Sequence, residues 1–240
     1  MKHFITAWLL TLASSICLAQ NYTLMTSEPS RVADGEKSTE SFFVEITSEV
    51  FARSGIKLKV KEGHWIRNQK KVSKAPPQKA LLITPLTRTE EREDSYDWIL
   101  PLFNYKLQFI TTDKSIDITN IDALRNLPVC ALRESPAEYK LIKLGFTKIR
   151  TKVQEQKCFQ GLNNKTVTVM LAYGKVAAGK GYKIIGKNPE QLIYGKSFSE
   201  QTAYLASTKK AVSDEDKKKI IDAFTAVKAD GTYDKIYATY

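Results

Sequence analysis

Residues able to do metal, redox or nucleophilic chemistry are scarce in this chain. It has two histidines, three cysteines and three methionines in 240 residues. No cluster of ligating side chains has zinc-like spacing, which argues against a zinc site. A conventional serine–histidine triad is equally poorly supported. Nothing after the N-terminal segment is apolar over the ~20 residues a membrane span requires. Acidic residues are outnumbered, 26 to 37, giving a formal net charge of +11. The surplus sits in "KLKVKEGHWIRNQKKVSKAPPQK" and "STKKAVSDEDKKKIIDAF", a pattern typical of solvated faces. Aromatic residues do not interleave with these lysines, so no nucleic-acid partner is expected. A weak preference for anionic ligands or surfaces is the most that the charge implies.

What is present begins with "MKHFITAWLLTLASSICLAQ". A basic start at Lys2 and His3, an apolar run from Phe4 to about Ala13 and small residues ending at Ala19 have the form of a secretory signal peptide. Residues 1–19 are expected to be removed, with export to the periplasm. Cys17 would leave with them, and His64 would be the sole remaining histidine. Cys130 and Cys158 then form an even pair in an oxidising compartment. A disulfide is expected, closing a loop of roughly thirty residues and contributing about 3–4 kcal/mol. The alternative is two buried thiols.

The remaining chain of ~220 residues suits one large domain or two small lobes. Strand and helix signals alternate along it. "YTLMTS" reads as a strand. "SFFVEITSEVFARSG" places Phe43, Ile46 and Val50 at helical spacing and stops at Gly55. "IKLKVKEG", "KALLITPL" and "YKLQFITT" read as strands. In the second half "LPVCALRES" leads into "SPAEYKLIKLGF", where Ser135, Pro136 and Glu138 make a helix start and Gly145 a stop. "KIRTKV", "KTVTVMLA", "YKIIGK" and "QTAYLAST" read as strands, with short helices at "QEQKCFQGLNN" and "YGKVAAG". The last helix starts at Ser213, carries Ile220, Phe224 and Val227 on one face, and ends near Gly231. The alternation predicts mostly parallel, helix-covered sheets in two α/β units. Ligands of such sheets bind beyond the carboxyl ends of the strands.

"LTRTEEREDSYDWILPLF", "VCALRESPAEYKLIKLGF", "FFVEITSEVFARSGIKLKV" and the tail "DGTYDKIYATY" together resemble the family 3 extracellular solute-binding proteins, the periplasmic binders of amino acids and similar polar solutes. The likeness covers essentially the whole mature chain. It implies the two-lobed type II periplasmic binding fold, each lobe a mostly parallel sheet flanked by helices with a hinge between them. The expected lobes are 20–106 plus 206–240, and 107–205. It implies a monomer without cofactor. The partners would be a small polar or anionic solute and an ABC-type permease or membrane receptor.

Carried over residue by residue, the ligand-carboxylate role falls on Arg92 and the upstream hydroxyl contact on Thr87. An arginine fork matches a carboxylate bidentately. The competing reading pairs Arg92 with Glu91, Glu93 or Asp94 on a solvated helix. Arg31, preceded by Glu28, stands near the family's first ligand loop; it either meets an anion or lies on the surface. Trp65 forms an apolar wall or belongs to the core. Ser135 matches a cleft hydroxyl but also suits an N-cap, and Arg133 would point into the same cleft. Tyr173 lies where family members that bind α-amino acids carry an acid for the ammonium group. "MLAYGKVAAG" contains no carboxylate, so an anionic or carboxylate-bearing solute is favoured over a standard α-amino acid. A sensor or scaffold of the same fold is the alternative function. A dehydratase-like enzyme would need Glu28 or Glu134 as its acid, and neither has an acid–base partner in the sequence.

Overall fold

The computed structural model describes residues 21–27 and 37–240, Phe198 in its backbone only. The expected signal segment with Cys17, and the candidate site residues Glu28 and Arg31, lie outside the described residues.

Three parallel strands, β1 (Tyr22–Ser27), β2 (Leu58–Gly63) and β3 (Leu81–Thr87), make one side of the molecule. Three more, β5 (Val129–Leu132), β6 (Ile149–Lys152) and β7 (Val169–Ala172), make the other. Between them run two long strands of 15 residues, β4 (Asp97–Thr111) and β8 (Ile193–Ser207). They pair antiparallel with each other, and with β7 and β3 respectively. The sheet order is β2-β1-β3-β8-β4-β7-β5-β6. Parallel neighbours need crossover connections, which the helices supply. The result is the two-lobed α/β architecture expected from the sequence.

Capping residues set most helix ends. Ser38 caps α1 (Thr39–Ser54) through the Ser41 amide, and Gly55, at φ 72°, closes it. Ser135 accepts from the Glu138 amide at the start of α4 (Pro136–Lys143), with Pro136 at the first helical position. Glu138 reaches back as expected of a capping box, but to the Glu134 amide, one residue before the cap. Ser213 caps α7 (Asp214–Ala229), whose Ile220, Phe224 and Val227 are buried.

One expectation needs correction. "YKIIGK" is not a strand: Tyr182, Lys183 and Ile184 complete α6 (Gly174–Ile184), which ends before Gly186 at φ 72°. A short apolar run cannot separate a strand from the buried face of a helix. Here Ala178, Gly181 and Tyr182 share that face. A Cβ on Gly181 would stand 2.2 Å from the Phe159 ring, so the helix packs there only because the side chain is missing. Between β2 and β3, where the sequence reading assigned no element, the chain forms α2 (Trp65–Lys74), which buries Asn68, Gln69 and Val72 and exposes its lysines.

Each side has its own core. Phe42, Ile46, Phe51, Leu82, Leu205 and Phe224 pack together on the β1–β3 side. Leu107, Phe109, Leu141 and Leu171 do so on the other. A second cluster there holds Phe159, Tyr182 and the Cys130–Cys158 disulfide, which ties β5 to α5 (Glu155–Asn163) with a Cα separation of 5.6 Å. Tyr105, midway along β4, packs against a cluster from each side. Among the described residues no helix is long and apolar enough to cross a membrane.

Candidate functional site

A cleft of about 980 Å³ lies where the two cores face each other, a size suited to a small molecule. The β1–β3 side contributes Trp65, Thr87 and Arg92, and the other side Ser135, Tyr173 and Glu155.

Arg92 sits in a 3-10 turn, Glu90–Ser95, that follows β3. Thr89 holds the N-cap position of this turn without a side-chain capping bond. The arginine itself ties the turn together. Its Nη1 donates to the Thr87 carbonyl at 2.9 Å and its Nη2 to Gln69 Oε1 at 2.8 Å. A second Nη2 bond, 2.6 Å, reaches the Glu134 carbonyl across the cleft. The residue is 6% exposed. All three acceptors are neutral oxygens. Of the carboxylates considered as partners, Glu93 is engaged with Arg88 and Glu91 with Lys143. Among the described residues Arg92 is therefore a buried cation without a counter-ion, an arrangement that is costly until an anion joins it. A guanidinium has five N–H donors. Two of them, on Nε and Nη1, are not used by the three bonds.

Thr87 shares a 2.6 Å hydrogen bond with the Tyr105 hydroxyl. Burial pushes that phenol up to about 12, against the opposing effects of Thr87 and Arg92. The Tyr105 ring meets Tyr173 edge-on at 5.5 Å. Tyr173 is also held well above its ordinary range, first by burial and then by Tyr105, while a bond with Ser135 opposes the shift. Ser135 thus does both things foreseen for it, capping α4 and lining the cleft. Trp65 likewise lines the cleft while packing on the core cluster around Val72 and Tyr96.

Arg133 does not point into the cleft. It is exposed and its Nε faces Thr151 on the neighbouring strand β6 at 3.4 Å. Beside it, Glu134 takes φ 54°, and this left-handed residue turns the chain between Arg133 and the buried Ser135.

Several cleft residues escaped the sequence reading. Phe42, Phe43 and Phe103 line it together with Tyr237 and Tyr240 from the C-terminal segment. Phe42 contacts Phe103, Tyr237 and Tyr240 edge-on. Their only sequence signal was apolar spacing, which reads as core. Glu155, the first residue of α5, was also missed. "MLAYGKVAAG" has no acid, as noted, yet this neighbouring element supplies one. Glu155 Oε1 is buried and meets no hydrogen-bond partner among the described residues. Burial, with the nearby Glu40 adding to it, pushes this carboxyl up to about 8.

That shift carries a stability prediction. In the unfolded chain the group ionises near 4.5, and in the folded protein near 8. Between those values the folded state holds more protons, so stability falls as pH rises through the window. Glu155→Gln should match wild type below the lower value and exceed it by several kcal/mol above the upper one. Thermal melts across this range would show the gap widening with pH, and a constant gap would refute the assignment.

Comparison with known proteins bears on this geometry. The sequence profile of the bacterial extracellular solute-binding proteins, family 3, matches residues 22–240. The chain belongs to that family. No protein of curated function matches this family 3 member in sequence. Solved structures do. An ancestral arginine-binding protein bound to arginine is 21% identical, with a TM-score of 0.73 over 92% of this chain and 98% of that one. The amino-acid transporter substrate-binding protein AbpA from Streptococcus pneumoniae, bound to L-arginine, is 19% identical, with a TM-score of 0.73 over 92% and 94%. A histidine kinase sensor domain with similarity to periplasmic binding proteins is 15% identical, with a TM-score of 0.75 over 92% and 96%. At these identities the structural likeness establishes the fold.

Proposed function

We propose that this family 3 protein is exported to the periplasm and closes its two lobes around a small carboxylate-bearing solute, for delivery to a membrane permease or receptor. The observation that carries the reading is Arg92: buried, lining the cleft, and bonded only to neutral oxygens among the described residues. A solute carboxylate would supply the missing charge and accept from the two remaining N–H groups. The arginine-bound relatives make a small organic solute a reasonable guest. The buried disulfide suits an oxidising compartment.

In this reading the hinge lies where β4 and β8 pass between the cores, and the pairing of Tyr105–Lys106 with Glu200–Gln201 there supports it. Ala203 and Leu205 pack with the first core, which supports moving the second boundary back from 205 to about 200. Binding without catalysis is favoured. Glu134, one of the two acids considered for proton chemistry, pairs with Lys70 at 3.6 Å.

A thermal-shift screen of carboxylates, amino acids, peptides and phosphate-bearing solutes tests the reading. A true ligand at a hundred times its dissociation constant stabilises by about 2.7 kcal/mol. Recovery of the hit unchanged after incubation separates binding from turnover. A screen in which only uncharged or cationic solutes shift the melt would reject the carboxylate.

A further inference from the structure

We propose that the face formed by β2 and α2 is a docking surface for an anionic phospholipid bilayer. The proposal is independent of the Arg92 reading and of what the cleft holds.

The sequence contains two lysine-rich runs, and the fold treats them differently. In the run that leads into α7 the charges are answered locally. Lys218 pairs with Asp222 at 2.6 Å, Lys219 with Glu215 at 2.7 Å and Lys209 with Asp97 at 3.8 Å. Between Lys57 and Lys79 there are eight lysines and arginines and one acid, Glu62. Most of the chain's net charge of +11 therefore lies in this short segment. All eight cations are exposed. Among the described residues one ion pair involves them, Lys70 with Glu134 at 3.6 Å.

Geometry gathers these charges on one side. β2 is an edge strand, and its register sets Thr23 beside Lys59 and Met25 beside Lys61. Partners in a ladder point to the same face of the sheet. Met25 shares a core cluster with Val72 of α2, so Lys59 and Lys61 stand on the face that α2 covers. On α2 itself Asn68, Gln69 and Val72 are buried, while Arg67, Lys70, Lys71 and Lys74 are exposed. Their i, i+3, i+4, i+7 spacing makes one stripe about 10 Å long, directed away from the sheet. Lysines on an edge strand deter unwanted strand pairing, which accounts for β2 but not for the stripe.

The chemistry of the face selects among anionic partners. A small anion needs converging donors in a concave site, whereas these cations reach solvent separately. A protein interface has an apolar core from which lysine is depleted. The one exposed large hydrophobic side chain described in this segment, Val60, pairs with Leu24 and so stands on the opposite face of the sheet. Diffuse attraction by many separate cations matches a layer of phosphate headgroups. Trp65, at the start of α2, lines the cleft, so the docked face begins at the cleft rim. Attachment would hold the protein on the surface where the proposed permease or receptor sits.

Vesicle co-sedimentation tests this, using the chain from residue 20 onward, which contains the whole described fold and none of the apolar leader. Vesicles of phosphatidylcholine with roughly one-third phosphatidylglycerol should retain the protein at about 0.01 M salt, and about 1 M salt should release it. Pure phosphatidylcholine should not retain it. Lys59→Gln, Lys61→Gln, Lys71→Gln and Lys74→Gln together should weaken retention about tenfold or more, since each cation near such a surface is worth roughly fivefold. Lys209→Gln, Lys210→Gln, Lys218→Gln and Lys219→Gln together remove the same charge from the other run and should weaken it by about twofold or less. Melts followed by circular dichroism establish that both variants are folded. Equal loss in the two variants would show that net charge alone acts, and would overturn the face. So would retention on phosphatidylcholine alone, or no retention on the anionic vesicles. Capture by soluble polyglutamate through this face, without vesicle binding, would give the face to an acidic protein instead.

Discussion

Arg92→Ala is expected to weaken solute binding by about a hundredfold or more, equivalent to ~3 kcal/mol. A ligand carboxylate would lose its one buried cationic partner in the described site. The same substitution leaves the Thr87 carbonyl and the Gln69 side chain without their donor. A stability loss of about 2 kcal/mol should accompany it, too little to unfold a domain of ordinary stability. Circular dichroism would confirm that the variant is folded before its affinity is read. Arg92→Lys keeps the charge and gives up the planar donor geometry. It should lie between the two, roughly tenfold weaker than wild type. Titration of all three proteins with a carboxylate found by the melting screen gives the answer. An alanine variant that binds as tightly as wild type would remove Arg92 from the site.

Loss of the Cys130–Cys158 bond should have the largest effect on stability. The bond spans 28 residues of sequence, and closing such a loop restricts the unfolded chain by about 3–4 kcal/mol. It joins a central strand of its sheet region to α5, the helix that carries Glu155 and Phe159. Replacing both cysteines with alanine should lower the melting temperature by roughly 10 °C. Scanning calorimetry measures this directly. A fall below about 2 °C would mean that the α5–β5 packing holds without the link.

Much of the fold was legible because local chemistry agrees with it. Ser135, Gly145, Ser213 and Gly55 cap or stop helices where their types suggest, and the Phe43, Ile46 and Val50 spacing places α1. The element order and the Arg92 turn were enough to suggest the two-lobed architecture. Failures came where a residue's neighbours are distant in sequence. Tyr182 looks like strand until Phe159 and the disulfide are packed against it. Arg133 and Ser135 are two residues apart, and the left-handed Glu134 between them sends one outward and the other inward. Glu155 looks like an ordinary first-turn acid until the folded chain buries its Oε1 beside the cleft. Phe42 and Tyr237 have the apolar pattern of core residues, and only the cleft between the halves gives them another face.

The two strands that join the halves carry one more consequence. Their pairing slips at Leu107/Gln108 and again at Gln108/Ile110, immediately beyond Tyr105 and Lys106, and the Gln108 amide side chain donates to the Gly195 carbonyl beside the slip. A register slip of this kind bends the strand and increases its local twist. The path by which the halves close is therefore shaped by this local bend and twist. Neither strand can rotate alone, so that path is fixed by which residue of one strand sits opposite which of the other.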